Sequence, residues 1–276
     1  AMAQPFGQAM IPGVRNVVPV GSGKGGVGKS TVAANLAVAL AAAGARVGLM
    51  DADIYGPSIP TILGITERPQ PGRNSIRPVE AYGVKVISAG FFIRPDQAVV
   101  WRGPMLSKLI DQFLHDVEWG ELDYLIVDLP PGTGDVQLTL CQRIPLTGAV
   151  IVSTPQDVAL KVAEKAVIMF HQLKCPILGI VENMSYFVCP HCGHRENIFD
   201  TGGAEQAAER WRAPLLGKVP LATRIRAASD GGRPVALEDP ASEGAAAFAA
   251  IARNLAAQIS IRNLKDEAEP AVKISF

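Results

Sequence analysis

The sequence predicts an α/β fold, with a doubly wound, mostly parallel sheet and helices on both of its faces. Short apolar runs alternate with longer helical patterns along the chain, and this order favours parallel strands joined by helical crossovers. The apolar runs show little polar alternation, which is typical of strands covered on both faces. With 276 residues, 48% of them hydrophobic and 19% charged, the chain is long and apolar enough for one large core.

The predicted elements follow the chain in order. We expect strands over residues 17–20, 47–50, 84–88, 124–128, 149–153, 177–182 and 216–219. We expect helices over residues 29–43, 104–117, 158–173, 204–211 and 241–259. Two longer connections, 65–82 and 185–203, are predicted to be loops. Pro19 conflicts with the first strand because proline lacks a ladder donor, so we expect its nitrogen at a strand end or a bulge.

The bulk composition argues against several classes of function. Lys plus Arg and Asp plus Glu both number 26, and this zero net charge disfavours a broad nucleic-acid surface. No apolar run approaches the roughly 20 residues that span a bilayer, and no secretory signal is visible, so we expect a cytoplasmic protein that does not bind a membrane. Four cysteines are too few for a disulfide scaffold, and Cys141 and Cys175 have apolar neighbours typical of core residues.

A phosphate-binding motif follows the first predicted strand and opens the first predicted helix. Gly23, Gly28, Lys29 and Ser30 match the P-loop pattern G-x-x-x-x-G-K-[ST] in that context. Its glycines let backbone N–H groups approach phosphate oxygens at a helix N-terminus. Lys29 is expected to reach the β- and γ-phosphates of ATP, and Ser30 to place its hydroxyl on Mg²⁺. The predicted nucleotide contacts are Gly23, Gly25, Gly26, Val27, Gly28, Lys29, Ser30 and Thr31.

Two further predicted strands end in carboxylates that belong with this motif. Asp128 ends the strand over 124–128 and is expected to hold Mg²⁺ through water, and the loop 130–135 that follows could sense the γ-phosphate. Asp51 and Asp53 end the second predicted strand. One of these two is placed to orient the attacking water, and spacing alone does not choose between them.

Lys24 is a second lysine inside the phosphate loop. A loop this tightly wound directs that side chain away from its own nucleotide, where a charge is most useful toward a second nucleotide across an interface. Residues 24–31 resemble the deviant P-loop of the MinD, ParA and nitrogenase-iron-protein class. That resemblance implies an ATP-sandwich homodimer in which Lys24 stabilises charge on the partner's transferring phosphate. It also implies that Asp53 positions the attacking water and that Asp128 opens the second switch segment.

Within that class, the chain is similar to the Mrp/ApbC family of iron–sulfur cluster carrier ATPases from about residue 11 to residue 255. The stretches that carry the resemblance are 11–14, 24–31, 51–58, 101–105, 128–135, 181–185 and 189–193. The resemblance implies slow ATP hydrolysis, transfer of an iron–sulfur cluster to apo iron–sulfur proteins, and an adenine contact from Asn183. A single ATPase domain is then expected over residues 13–262, between an N-terminal extension (1–12) and a flexible tail (263–276).

A cysteine pair, Cys189-x-x-Cys192, lies in the second long loop beside His191 and His194. Two thiolates at this spacing hold one side of a metal or cluster, and a two-fold dimer would supply the other two. The family resemblance implies a [4Fe–4S] cluster that bridges two subunits. Zinc stays open, either bridging or held by Cys189, Cys192 and His194, because the segment also resembles half of a zinc ribbon and thiolates accept both metals. A redox thiol pair or a loop without a ligand also stays open.

Other members of the class define the alternative functions. A positioning or partition ATPase of the MinD/ParA kind needs an amphipathic membrane-binding tail or a basic DNA surface, and residues 259–276 contain no basic amphipathic helix. An electron carrier like the nitrogenase iron protein would also bridge a cluster, but its cysteines do not form a C-x-x-C pair. Nothing in the sequence indicates the acceptor site that a small-molecule kinase would need.

Overall fold

The computed structural model describes residues 10–93, 103–189, 191–199 and 202–268, and the following elements belong to them. The strands are β1 (Val17–Gly21), β2 (Val47–Asp51), β3 (Gln70–Pro71), β4 (Ile76–Arg77), β5 (Val79–Ala81), β6 (Val84–Ser88), β7 (Tyr124–Asp128), β8 (Ala149–Ser153), β9 (Ile177–Glu182), β10 (Phe187–Val188), β11 (Arg195–Glu196) and β12 (Leu215–Lys218). The helices are α1 (Lys29–Ala42), α2 (Ile59–Ile62), α3 (Gly103–His115), α4 (Asp135–Arg143), α5 (Asp157–Gln172), α6 (Gly203–Trp211), α7 (Thr223–Asp230), α8 (Val235–Glu238) and α9 (Glu243–Ala268). A short 3₁₀ turn covers Ala89–Phe91.

An eight-stranded sheet forms the centre of the described structure. Its strand order is β12-β9-β8-β1-β7-β2-β6-β5, and every pairing is parallel except that of β5 with β6. Every residue of β1, β2 and β8 is buried. Strands without an exposed residue are covered on both faces, as expected when helices pack on either side of a parallel sheet. The predicted doubly wound α/β class is therefore confirmed.

The predicted strands are confirmed to within one residue at each end, and the predicted helices correspond to α1, α3, α5, α6 and α9. The predicted loop over 65–82 contains β3, β4 and β5, and the loop over 185–203 contains the β10–β11 hairpin. Strands of two or three residues are too short to show a periodicity, so the sequence pattern missed them. Helix α9 continues to Ala268, into the expected tail. Residues 1–9, 269–276, Trp101, Arg102 and Pro190 lie outside the described residues.

Pro19 lies in the middle of β1, which is a central strand between β7 and β8. Its expected position at a strand end or a bulge is therefore wrong. The N–H of Thr147, just before β8, donates to the carbonyl of Val17, so the polar groups of alternate residues, Pro19 included, face the β8 side. Pairing with β8 begins only at Val20. The N–H that Pro19 lacks would therefore face β8 at a position before the β1–β8 pairing begins.

The parallel order brings the carboxyl ends of three neighbouring strands together. β1, β7 and β2 lie side by side and end at Gly21, Asp128 and Asp51. In this register Asp128 is paired with Val20 on one side and with Asp51 on the other. Ligands of parallel α/β sheets bind outside the carboxyl ends of the strands. The predicted phosphate site therefore lies at the edge of the sheet where ligands are expected.

Helix α9 packs against the rest of the domain along one face. Its buried residues include Phe248, Ile251, Leu255 and Ile259, and it lies against α1, α8, β9 and β12. By length and composition alone, Glu243–Lys265 is also apolar enough to cross a membrane, but core helices of other proteins pass the same test. The contacts of α9 place its buried face, as far as Ile259, against the core of this fold, whereas Ile261 and Leu264 are exposed.

Candidate functional site

The P-loop runs from the end of β1 to the start of α1. Gly26 and Gly28 have φ values of 80° and 78°, in the left-handed region that side chains disfavour, and α1 begins at Lys29. The hydroxyl of Ser22 donates to the carbonyl of Lys24 over 3.0 Å and closes the first turn of the loop. Backbone geometry thus requires the glycines at these positions, and the loop ends at a helix N-terminus suited to anions.

Asn183 holds the P-loop from the side. Its Nδ2 donates to the carbonyl of Val27 over 2.8 Å, and the residue is buried. A Cβ at Gly28 would collide with the same nitrogen, so glycine is required there for space as well as for conformation. The structure therefore places the predicted adenine contact directly against the phosphate-binding backbone, which the sequence did not indicate.

Lys29 and Asp128 form a buried ion pair beneath the loop. Lys29 Nζ lies 2.6 Å from Asp128 Oδ1 and 3.2 Å from Ser30 Oγ. Burial raises the pKa of Asp128, although Lys29 and Ser30 oppose that shift. The pair satisfies two charges that would be costly to bury alone. Lys29 would have to turn away from Asp128 to contact a phosphate bound in the loop.

Ser30 and Asp128 fit a divalent cation. The second carboxylate oxygen of Asp128, Oδ2, is buried and has no hydrogen-bond partner among the described residues. A buried polar atom without a partner calls for an explanation. A carboxylate oxygen beside a serine hydroxyl is a set of hard oxygen ligands of the kind that Mg²⁺ prefers. These two residues are the ones that would hold Mg²⁺.

The surroundings of Asp51 and Asp53 differ. Asp51 is fully buried and accepts hydrogen bonds from the N–H groups of Asp53 and Ile59 and from the Ser88 hydroxyl, at 3.1, 3.3 and 2.8 Å. Both of its oxygens are thus engaged in folding the segment after β2. Asp53 instead lines an open cleft of about 660 Å³ between that segment and the loop after β7. The other lining residues are Tyr55, Gly56, Pro130, Pro131, Gly134 and Gln137. Asp53 is therefore the carboxylate that lines a space able to hold a water molecule.

Asp51 should give the protein a pH dependence that an amide at this position lacks. Burial raises the pKa of Asp51 from 3.8 to about 8, and the charge of Asp128 adds to the shift. Because the folded chain then binds the proton more tightly than the unfolded chain, this stabilising contribution is lost as pH rises from 3.8 to about 8. In that window and without magnesium, the free energy of unfolding should fall by up to about 1.4 kcal/mol per pH unit relative to Asp51→Asn. Denaturant titrations measure the difference, and equal slopes for the two proteins would contradict it.

Lys24 and Lys29 have opposite surroundings within one motif. Lys29 is buried and paired with Asp128. Lys24 is half-buried on the rim of the loop, and its side chain forms no ion pair or hydrogen bond with another described residue. One lysine therefore points into the phosphate site of its own chain, and the other is available to a molecule that approaches from outside.

The cysteine pair lies at the turn between β10 and β11, which pair in antiparallel orientation. The backbone carbonyl of Cys189 accepts a hydrogen bond from the N–H of Gly193 over 2.9 Å. The backbone N–H of Cys189 donates to the carbonyl of His194, also over 2.9 Å. The backbone N–H groups of Cys192 and His191 donate to Cys189 Sγ and hold the pKa of this thiol below its ordinary value. The turn therefore folds around the Cys189 sulfur and favours the thiolate that binds metals.

This turn offers two metal ligands from one chain. Within the described residues, no group of three or more His, Cys, Asp or Glu side chains is arranged to hold a metal ion. Cys192 is exposed and Cys189 is half-buried, so the pair is accessible from the surface. The geometry disfavours a zinc site of Cys189, Cys192 and His194 within one chain. It is compatible with a site shared by two chains.

Sequence reasoning did not single out three buried polar residues of this region. Ser88 ends β6 and binds Asp51, Glu182 ends β9, and Gln137 donates to the carbonyl of Pro130 over 2.8 Å. Ser88 and Glu182 share one signal that could have found them. A polar residue that ends an otherwise apolar strand of a parallel sheet lies at the edge where ligands bind.

The fold and this site define a P-loop nucleoside triphosphatase. A family model described as ParA, NUBPL iron-transfer P-loop NTPase, matches residues 13–256, and the chain belongs to this family. The iron-sulfur cluster carrier protein of Escherichia coli K12 is 52% identical over 254 residues, which cover 91% of this chain and 69% of that protein. The iron-sulfur cluster carrier protein of Deinococcus radiodurans is 54% identical over 268 residues, covering 96% and 76%. The iron-sulfur cluster transfer protein NUBPL of Dictyostelium discoideum is 45% identical over 271 residues, covering 96% and 84%.

Solved structures share the architecture. A nucleotide-binding protein from Archaeoglobus fulgidus, in complex with ADP, superposes with a TM-score of 0.73 at 43% identity, covering 81% of this chain and 88% of that one. The cell-division ATPase MinD of Pyrococcus furiosus superposes with a TM-score of 0.67 at 24% identity, covering 88% and 98%. The second similarity supports the fold alone.

Proposed function

We propose that this protein is an ATP-dependent carrier that binds a [4Fe–4S] cluster between two copies of the chain and passes it to apo iron–sulfur proteins. The observation that carries the proposal is the presence of two incomplete sites in one chain. The side chain of Lys24 has no ion-pair or hydrogen-bond partner among the described residues, and Cys189 and Cys192 supply only two thiolates. A two-fold homodimer would complete both sites at once, because its interface brings identical patches together. The names of the relatives, iron-sulfur cluster carrier and transfer proteins, support the nature of the cargo.

The P-loop residues bind the nucleotide in this proposal. Backbone N–H groups of the loop surround the phosphates, and Lys29 turns from Asp128 toward the β- and γ-phosphates. Thr31 in the first turn of α1 donates a further hydrogen bond to a phosphate. Ser30 and Asp128 would hold Mg²⁺, which would supply positive charge against the phosphate oxygens. Asn183, beside Val27, extends the contact toward the adenine.

Hydrolysis then depends on one residue from each chain. Asp53 orients the attacking water in the cleft that it lines, and Lys24 reaches the nucleotide of the partner chain. There it stabilises the charge that develops on the transferred phosphate. ATP binding closes the dimer and hydrolysis opens it. Because the nucleotide serves as a switch, turnover is expected to be slow. The proposed location is the cytoplasm, where thiols remain reduced.

A cluster is proposed as the cargo in preference to zinc. Both would accept the thiolate that the turn around Cys189 favours, so the chemistry of the ligands does not decide. The names of the relatives support iron and sulfide. The exposed position of Cys192 suits a cluster that is passed on, because the thiolates of a recipient protein have to reach that cluster.

Anaerobic reconstitution with iron and sulfide tests the proposal. Bound iron, sulfide and zinc are measured together with ultraviolet–visible absorption, which separates a cluster from zinc and from an empty loop. We expect about four iron and four sulfide ions per two chains, as for one bridging cluster. Protein that retains zinc and takes up no sulfide would contradict the proposed cargo.

A further inference from the structure

A buried carboxylate joins the two ends of the cysteine-pair loop, residues 185–203. Glu182 is the last residue of β9 and is 2% exposed. Its Oε1 accepts the hydroxyl of Ser185 over 2.6 Å, and its Oε2 accepts the backbone N–H of Ala204 over 3.2 Å. Ser185 opens the loop, and Ala204 follows it in the first turn of α6. One side chain therefore binds the loop where it leaves the sheet and where it ends.

The charge of Glu182 is satisfied in this position. Lys218 Nζ of β12 lies 3.5 Å from Glu182 Oε1 and 2.6 Å from Oε1 of Glu205 on α6. The N–H of Ala204 belongs to the N-terminus of α6, where negative charge is favoured. A buried carboxylate costs free energy unless its oxygens are hydrogen-bonded and its charge is paired, and both conditions hold here. The contacts of Glu182 thus favour one arrangement of the two loop ends.

The residue after Glu182 connects this clamp to the P-loop. Asn183 Nδ2 donates to the Val27 carbonyl over 2.8 Å. The backbone N–H of Asn183 donates to the carbonyl of Ser153, at the end of β8, over 2.8 Å. Met184 has a φ of 56°, so the chain turns sharply before the loop begins. The phosphate-binding backbone and the cysteine-pair loop are therefore linked through a few consecutive, tightly held residues.

We propose that Glu182 is a positioning residue that couples the two sites, so that nucleotide binding at the P-loop changes the accessibility of Cys189 and Cys192. The inference rests on the proposed function, in which the nucleotide controls release of the cluster. Phosphates that enter the loop engage its backbone, and Asn183 is hydrogen-bonded to that backbone at Val27. A displacement of Asn183 moves the adjoining Glu182, whose carboxylate holds both ends of the loop.

A residue that only caps α6 would behave differently. Its loss would lower the stability of the protein without changing how the cysteines respond to the nucleotide. The decisive quantity is therefore the ratio of cysteine reactivity with and without nucleotide, which a loss of stability alone does not alter.

Thiol labelling of the full chain measures this ratio. The cluster-free protein is reacted with a maleimide under anaerobic conditions, with and without Mg²⁺ and a non-hydrolysable ATP analogue. Cys141 and Cys175 are buried, so the label reports on Cys189 and Cys192. In the wild type we expect the nucleotide to change the labelling rate by about fivefold or more. In Glu182→Gln, which leaves one acceptor oxygen where the carboxylate has two and removes the charge that pairs with Lys218, we expect the two rates to become equal while nucleotide affinity is retained.

Glu205→Gln is the matched control, because the Glu205 carboxylate pairs with Lys218, whereas the hydrogen bonds from Ser185 and Ala204 go to Glu182. It should keep the wild-type ratio. Ser185→Ala removes the other arm of the clamp and should also lose the response, so it replaces Glu182→Gln if that variant does not fold.

Two results would overturn the inference. One is that Glu182→Gln keeps the wild-type ratio of labelling rates with and without nucleotide. The other is that the labelling rate of the wild type does not change when the nucleotide is added. Iron and sulfide binding are measured separately on the wild type. A wild type that binds a cluster without responding to the nucleotide removes only the coupling, whereas a wild type that binds no cluster contradicts the proposed function.

Discussion

Replacing Lys24 by alanine is expected to leave ATP binding intact and to reduce the rate of ATP hydrolysis by about 10³-fold or more. This is the loss typical of removing a positively charged side chain that stabilises the transition state from a partner chain. The side chain forms no ion pair or hydrogen bond with the described residues, whereas Lys29 is buried and paired with Asp128 beneath the loop of its own chain. Calorimetric titration measures the affinity, and single-turnover hydrolysis measures the rate. Lys265→Ala, which removes an exposed lysine at the far end of α9, is the control and should behave as the wild type.

Mixing two inactive variants distinguishes action across the interface from action within one chain. In a mixed dimer of Lys24→Ala with Asp53→Asn, the chain that lacks Lys24 keeps its own Asp53 and receives Lys24 from its partner. One of the two sites is then complete, and hydrolysis should recover in the mixture. A mixture as inactive as its separate components would contradict the proposed role of Lys24 in trans.

Replacing Cys189 by serine is expected to abolish cluster binding and to leave ATP binding unchanged. A serine hydroxyl is a hard, neutral ligand, whereas clusters are held by soft thiolates. The hydrogen bonds that the turn directs at Cys189 Sγ would then stabilise no thiolate. Iron and sulfide content after anaerobic reconstitution measures the loss.

Cys175→Ala is the matched control for this replacement. Cys175 is a free cysteine that is 3% exposed, and burial raises the pKa of its thiol well above the ordinary value. It is therefore an unreactive core residue, and its replacement should leave cluster binding intact. A cluster that survives in Cys189→Ser, or one lost equally in Cys175→Ala, would contradict the assignment of the turn as the cluster site.

The sequence predicted the sheet and the phosphate loop because both depend on local patterns. Continuous apolar runs separated by helical segments admit few arrangements other than a parallel sheet. The P-loop glycines follow from conformation, and the structure adds that Gly28 also lacks space for a side chain beside Asn183. Both features could be predicted without knowledge of distant contacts.

What the sequence could not predict depends on contacts between distant segments. Spacing alone did not separate Asp51 from Asp53, and their different surroundings depend on the contacts of Asp51 with Ile59 and Ser88, which lie on other elements. The position of Pro19 was wrongly predicted because it depends on where β1 begins to pair with β8, a strand more than a hundred residues away along the chain. The clamp formed by Glu182 joins the start of the cysteine-pair loop to a helix that follows it, and no local pattern marks such a contact.

The most direct test of an ATP-dependent carrier is the rate of cluster transfer from the reconstituted protein to an apo [4Fe–4S] acceptor, measured anaerobically with and without ATP. We expect ATP to change that rate by roughly 5–150-fold, the range of ordinary coupling between two sites. The Lys24→Ala variant should bind the cluster and lose the ATP effect. Transfer at one rate with ATP, without ATP and in the Lys24→Ala variant would contradict the claim that the nucleotide controls the cargo.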